Sequence, residues 1–245
     1  MGGDWNGVTR AEAASLLGWW LEAGVDLAVT ETPRDWLKKA PQPAEGAPAS
    51  DARSSPGMAP ARVAERGETL EAFHAYLRHA GDLPLFRAGV ARVLPHGPAH
   101  AEVMLVSDLP GRDASADDRP ISGEAWQLMV RMLAAIGLKP EQAYVASLAC
   151  FPSPTNRLEP GELTRCAEDM NHHISLVQPR RLLLLGDGPA RALTGQAALQ
   201  ARGRVHRVGG IPAVVTLHPR QLLQRPSDKA HAWRDLLLLM TEEVA

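Results

Sequence analysis

From residue 101 onward the chain alternates short apolar runs with amphipathic segments, and this alternation restricts the fold more than any other feature. The runs are 101–107 (AEVMLVS), 143–149 (AYVASLA), 181–185 (RLLLL) and 211–217 (IPAVVTL). They are short and largely lack the polar alternation of a strand with one wet face, as expected of strands buried on both sides. Residues 123–136, 162–177, a short stretch through Leu193, and 229–243 instead carry apolar residues at helical spacing. Strands that alternate with helices predict an α/β fold. The expected architecture is three-layer, α/β/α, around a central, mostly parallel four-stranded sheet.

The first part of the chain has a different character. Residues 9–24 read as a helix: Thr9 is a candidate N-cap with Glu12 three residues later, Leu16, Leu17, Trp20 and Leu21 form a stripe, and Gly24 suits the C-terminal cap. A second short helical piece is expected near Pro33, with Trp36 and Leu37 turned inward. Between 40 and 61, Pro, Ala, Ser and Gly dominate, a composition that buries too little apolar surface to offset its ordering entropy. Residues 69–80 return to helical spacing through Leu70, Phe73 and Leu77. The expected organisation is therefore an N-terminal helical extension (1–39), a flexible linker (40–61) and an α/β domain (62–245), whose pattern is firmest over 101–245. Trp19 and Trp20 are open to two readings, a dock for a partner protein or packing on the main domain.

Charge and cysteine content narrow the function classes. A formal net charge of -2 excludes a uniformly basic chain, so any nucleic-acid face must be a local patch. The two cysteines, Cys150 and Cys166, cannot supply the four ligands that an iron–sulfur cluster or structural zinc usually takes. No metal or cofactor is expected, and so few cysteines suit a reducing compartment. No apolar run approaches the ~18 residues of a membrane span, and the first residues lack the order of a signal peptide. The expectation is a soluble, cytoplasmic protein with no membrane partner.

In a parallel sheet covered by helices, ligands bind at the carboxyl ends of the strands. Four segments qualify: residues 107–113, 147–157, Gly186 to Gly188, and His218 to Arg220. Asp108 in the first and His218 in the last place a carboxylate and an imidazole where they can face one cleft. Together they are a minimal kit for activating water and stabilising charge.

Several short motifs occur here in a fixed order. Ser107-Asp108-Leu109-Pro110-Gly111 is followed by Arg119-Pro120-Ile121-Ser122-Gly123, and Ser147 by a Pro-rich segment closing in Asn156-Arg157. Leu185-Gly186, His218-Pro219-Arg220-Gln221-Leu222-Leu223, Lys229 and Trp233-Arg234-Asp235-Leu236 complete the series. In order and spacing this resembles the iron–sulfur branch of the uracil-DNA glycosylases. That branch carries Gly-Glu-Ala-Pro-Gly, Gly-x-Pro-Phe-x-Gly, an Asn, Asn-Arg, Leu-Gly, His-Pro-Ser-x-Leu-Leu and Trp-x-Asp-Leu.

The resemblance implies an enzyme of base-excision repair that flips a base out of DNA and hydrolyses its N-glycosidic bond. It implies that Asp108 positions water and that His218 stabilises charge on the departing base. It implies a base pocket of Pro110, Gly111, Ile121 and Ser147. Arg204, Arg207, Arg220, Arg225 and Lys229 are then candidate contacts to the phosphates of single- or double-stranded DNA; the alternative is a solvated basic loop.

The chain also departs from the pattern. Asp108 replaces Glu and reaches ~1.5 Å less far. Ser107 replaces Gly, which alters the turn. Ile121 stands where a stacking Phe belongs, and Ser147, with a single hydroxyl, where an Asn pairs with the base edge. Arg220 replaces a small Ser. Cys166 matches one cluster ligand, Phe151 falls at another, and no cysteine precedes Ala101. Apolar packing around Phe151 is expected in place of the cluster. Two functions fit this divergent active site: a glycosylase of weak or altered specificity, and a non-catalytic relative that binds DNA or a protein.

Overall fold

The computed structural model describes residues 66–111, 119–153 and 157–241. The expected extension and linker, and Asn156, lie outside them. Thr69 opens α1 (Leu70–His79), its hydroxyl accepting a hydrogen bond from the Ala72 N–H at 3.2 Å. Next come β1 (Val103–Ser107), α2 (Gly123–Ala135), β2 (Ala143–Ser147) and α3 (Pro160–Val177). They are followed by β3 (Leu182–Leu185), α4 (Asp187–Thr194), α5 (Ala198–Ala201), β4 (Val205–Val208) and β5 (Ile211–Thr216). Two helices close the order, α6 (Pro219–Gln224) and α7 (Lys229–Thr241). Among the described residues no helix is long and apolar enough to cross a membrane.

α3 begins earlier than its apolar spacing predicts. Pro160 occupies the first helical position, where its missing N–H costs nothing, and the Glu162 carboxylate accepts from the Glu159 N–H at 3.0 Å. The helix stops at Gln178, whose φ is 48°, just before Pro179.

Among the described residues the sheet has five strands in the order β2-β1-β3-β5-β4, which corrects the expectation of four. β1, β2, β3 and β5 are parallel, and β4 is antiparallel to β5. β4 carries His206 and Arg207 and lies at the sheet edge, so it has no apolar run to reveal it. A cue is nonetheless present. Gly209 and Gly210, at φ 57° and 83°, form the two-residue turn that joins Val208 to Ile211. A Gly-Gly pair between short strands is the composition that such hairpins require.

Alternate residues of the strands feed two cores, which makes the three layers. Met104, Val106, Leu182, Leu184, Ala213 and Val215 pack with Cys166, Met170 and Ile174 of α3 and Ala190 of α4. Val103, Leu105, Leu183, Leu185 and Val214 face α2, α6 and α7 through Met129, Leu133, Leu222 and Leu236. A third cluster joins Phe73, Tyr76 and Leu77 of α1 to Leu83, Cys150 and Phe151.

The chain passes from β1 outward to β2, then crosses back to β3 on the other side of β1. The strand order therefore reverses between β1 and β3. At such a point the loops leaving the two strands diverge and open a crevice beyond their carboxyl ends.

Candidate active site at the switch point

Asp108 is the first residue after β1, and its carboxylate lies against the start of α4. A Cβ built on Gly188 would stand 2.8 Å from Asp108 Cγ and nearer still to Oδ1, so the missing side chain of Gly188 supplies the space the carboxylate occupies. Asp108, Asp187, Gly188, Arg191, Arg157, Leu158 and Leu163 line a cleft of about 470 Å³. Burial pushes the Asp108 carboxyl above the usual carboxylate range; Arg220 draws it down and Asp187 adds to the rise. A carboxylate so raised is a stronger base than one in water. Burial also acts on Asp187, but hydrogen bonds from Arg191 and from the Ala198 N–H, the latter at 2.8 Å, hold it below its ordinary value.

His218 follows β5 and caps the N-terminus of α6. Its Nδ1 accepts from the Arg220 N–H at 3.1 Å. A backbone N–H can only donate, so in the neutral ring the proton sits on Nε2. Nε2 lies 3.0 Å from the hydroxyl of Ser107, and that oxygen accepts from it. The ring is 8% exposed. Burial, with Arg220 second, holds its pKa down to about 3, so the imidazole is neutral at physiological pH. Gly186, at φ 93°, turns the chain after β3 directly beside His218 Cβ.

Arg220 links these parts. Its Nη2 donates to the Leu109 carbonyl at 2.7 Å, in the turn that carries Asp108, and approaches His218 Nε2 to 3.5 Å. Its Nη1 lies beside Gly111. Burial lowers the guanidinium pKa and the Asp108 charge opposes that shift. A carboxylate, a neutral imidazole and a half-buried cation thus meet where β1 and β5 end.

A family model described as the uracil DNA glycosylase superfamily matches residues 94–237. The chain belongs to the uracil-DNA glycosylase superfamily. Among curated relatives, the type-4 uracil-DNA glycosylase of Archaeoglobus fulgidus is 28% identical over 53% of this chain and 71% of its own length. The type-4 enzyme of Pyrobaculum aerophilum is 24% identical over 69% of this chain and 92% of its own. That of Thermotoga maritima is 24% identical over 67% and 88%.

In this superfamily member, Asp108, His218 and Arg220 come together from distant parts of the sequence, with Pro110 and Gly111 in the same turn. Ser147 pairs in register with Ser107 at the end of β2, and Ile121 precedes Ser122, which approaches Gly111. Ile121 is 2% exposed, packed in the core shared with α2. Ser147 donates its hydroxyl to the Ala149 carbonyl at 2.8 Å and faces a small cavity of about 30 Å³ beside α1 and α3.

The other expected phosphate contacts are dispersed. Arg207 pairs in register with Pro212, four residues before the end of β5, roughly 13 Å from the carboxyl edge at ~3.3 Å per residue. Arg204 follows α5 and donates to the Gln200 carbonyl at 2.8 Å. Arg225 ends α6, and Lys229 borders a groove between α2 and α7. No motif in the sequence marks Ser107 as the partner of His218, or Gly188 as the seat of Asp108. Only the pairing of β1, β3 and β5 brings those positions together.

The branch to which the type-4 resemblance points implies an iron–sulfur cluster, and the residues present do not fit one. Cys150 and Cys166 are buried free thiols, each pushed up to about 12, chiefly by burial. Phe151 is fully buried, edge-on to Phe86 with ring centres 5.7 Å apart, and Arg92 lies 5.3 Å above it. Arg92 also donates to the Leu77 and Ala80 carbonyls at 2.7 Å, closing the end of α1. Apolar and aromatic packing occupies this corner.

Proposed function

We propose that this protein is a DNA glycosylase. It takes a flipped, altered base into the cleft beyond β1 and β3 and hydrolyses its N-glycosidic bond, with weak or altered specificity towards uracil. The observation that carries the reading is the convergence of Asp108, His218 and Arg220 at one end of the sheet, with Asp108 opening onto a cleft of about 470 Å³.

The chemistry assigns water as the nucleophile. Asp108 holds the water and accepts its proton as oxygen bonds to C1′, while the pair from the broken C1′–N bond leaves with the base. His218 positions the start of α6, and with it Arg220. The altered specificity rests on Ile121 and Ser147. Ile121 offers no ring to stack on, and the Ser147 hydroxyl is turned to its own loop, so the discrimination that an amide would supply is lost.

The test uses single- and double-stranded oligonucleotides carrying uracil, hypoxanthine or xanthine. Abasic-site formation on at least one of them, abolished in Asp108→Asn and His218→Ala, is the expected result. The buried Ile121 and the self-engaged Ser147 favour a second reading, a non-catalytic DNA- or protein-binding module. Salt-dependent DNA binding without base release on any substrate would establish that reading and overturn the first.

A further inference from the structure

We propose that Arg220, not His218, receives the negative charge of the departing base; this rests on the glycosylase reading above. When the C1′–N bond breaks, both electrons go to the base, which leaves as an anion with charge spread onto its carbonyl oxygens. Water supplies the new C1′–O bond, its proton passes to Asp108, and the base anion is protonated afterwards. The barrier falls if a cation or N–H donor is already aimed at those oxygens in a site shielded from water.

His218 is poorly placed for that role. Both ring nitrogens are engaged inside the protein, Nδ1 by the Arg220 N–H at 3.1 Å and Nε2 by the Ser107 hydroxyl at 3.0 Å. Its one N–H is directed at a serine that is fully buried. The superfamily pattern has glycine at that position, and in this chain the hydroxyl of Ser107 fills the place beside the imidazole.

Arg220 has what His218 lacks. It lies 3.5 Å from the same imidazole edge and keeps a full positive charge. Its Nη2 bond to the Leu109 carbonyl fixes the guanidinium against the Asp108 turn. The plane is pre-organised, and Nη1 reaches Gly111, where no side chain intervenes. A cation serving only DNA phosphate would be expected on the open surface, where Arg204, Arg207, Arg225 and Lys229 are exposed. Arg157 and Arg191 line the cleft but are exposed, and Arg191 is paired with Asp187; Arg220 is instead half-buried next to Asp108, the carboxylate of that lining.

Single-turnover rates on oligonucleotides carrying uracil or 5-fluorouracil test the assignment. Fluorine makes the base a better anion, which lessens its need for stabilisation. Arg220→Gln is expected to lose on the order of 100-fold or more on uracil, the loss seen when one oxyanion donor is removed, and about tenfold less than that on 5-fluorouracil. Arg220→Lys should recover part of the difference while still losing more on uracil than on 5-fluorouracil, which keeps the test open if Arg220→Gln does not fold. Equal losses on the two bases, accompanied by weaker DNA binding, would mean a phosphate contact and overturn the inference while leaving the glycosylase reading intact. No release of either base by the unaltered protein would overturn the inference, and no release from the hypoxanthine and xanthine oligonucleotides as well would overturn the glycosylase reading too.

Discussion

The fit between Asp108 and Gly188 gives the sharpest prediction. In Gly188→Ala the new Cβ would stand 2.8 Å from Asp108 Cγ, whereas carbon atoms in ordinary contact are ~3.5–4.0 Å apart. Gly188 is the second residue of α4 and does not hold a left-handed conformation, so alanine suits its backbone. The Asp108 side chain is the part that can move, and it must retreat by roughly 1 Å. A misplacement of that size costs on the order of 100-fold in rate. Folding should scarcely suffer, because alanine in a helix is favoured over glycine by up to about 1 kcal/mol, which offsets the crowding. The expected pattern is an unchanged melting temperature with a single-turnover base-release rate about 100-fold lower. A rate within threefold of the unaltered protein, in a variant with a native spectrum, would refute the placement of Asp108 at the reacting centre.

Three further outcomes are expected. His173 and His218 are both held down to about 3, mainly by burial, so the unfolded chain binds protons before the folded one does. Their stabilisation is present above pH ~6.5 and is lost as pH falls towards 3. Between pH 7.5 and 5.5 the urea midpoint should drop by the equivalent of roughly 2–3 kcal/mol, and a flat profile would contradict two neutral buried imidazoles. Tyr144→Phe removes the hydroxyl that bridges His74 Nε2 at 2.6 Å and His173 Nε2 at 2.7 Å. Leaving a buried nitrogen unpartnered should cost about 1–3 kcal/mol in denaturant unfolding, and no change in midpoint would remove the bridge from the account. Protein purified without oxygen should be colourless in visible absorption, whereas a brown preparation with stoichiometric iron would overturn the packing argument at Phe151.

The legibility of this chain follows the physics of each element. Val103, Leu105, Leu183 and Val214 belong to strands buried on both faces, and continuous apolar runs betray such strands. The helix after Thr69 was legible because the spacing of Leu70, Phe73 and Leu77 is a pattern local in sequence. β4 has one strand neighbour and polar side chains, so only its Gly-Gly turn could give it away. That Asp108 and His218 lie at one end of the sheet was legible, because each stands within two residues of a strand whose carboxyl end is predictable. The dispersal of Arg204, Arg207 and Lys229 was not, since neighbours in sequence part company when the chain reverses at Gly209. The Ser107–His218 bond spans 111 residues and exists only once β1, β3 and β5 are in register. Patterns local in sequence carry no such information.

The β4–β5 hairpin also sets a limit on variation. β5 is gripped on one side by β3 and on the other by β4, and His218 stands two residues beyond its end. Deleting or adding one residue in the Gly209-Gly210 turn would slip β5 against β4, and a one-residue slip exchanges the two faces of a strand. Ala213 and Val215 would trade sides with Val214, and His218 would be carried along the sheet axis by about 3.3 Å, out of reach of Ser107. The turn acts as a length gauge for a site at the other end of the strand. Relatives that keep the Ser107–His218 pair should therefore keep the length of this turn, with residues that accept a positive φ at both positions.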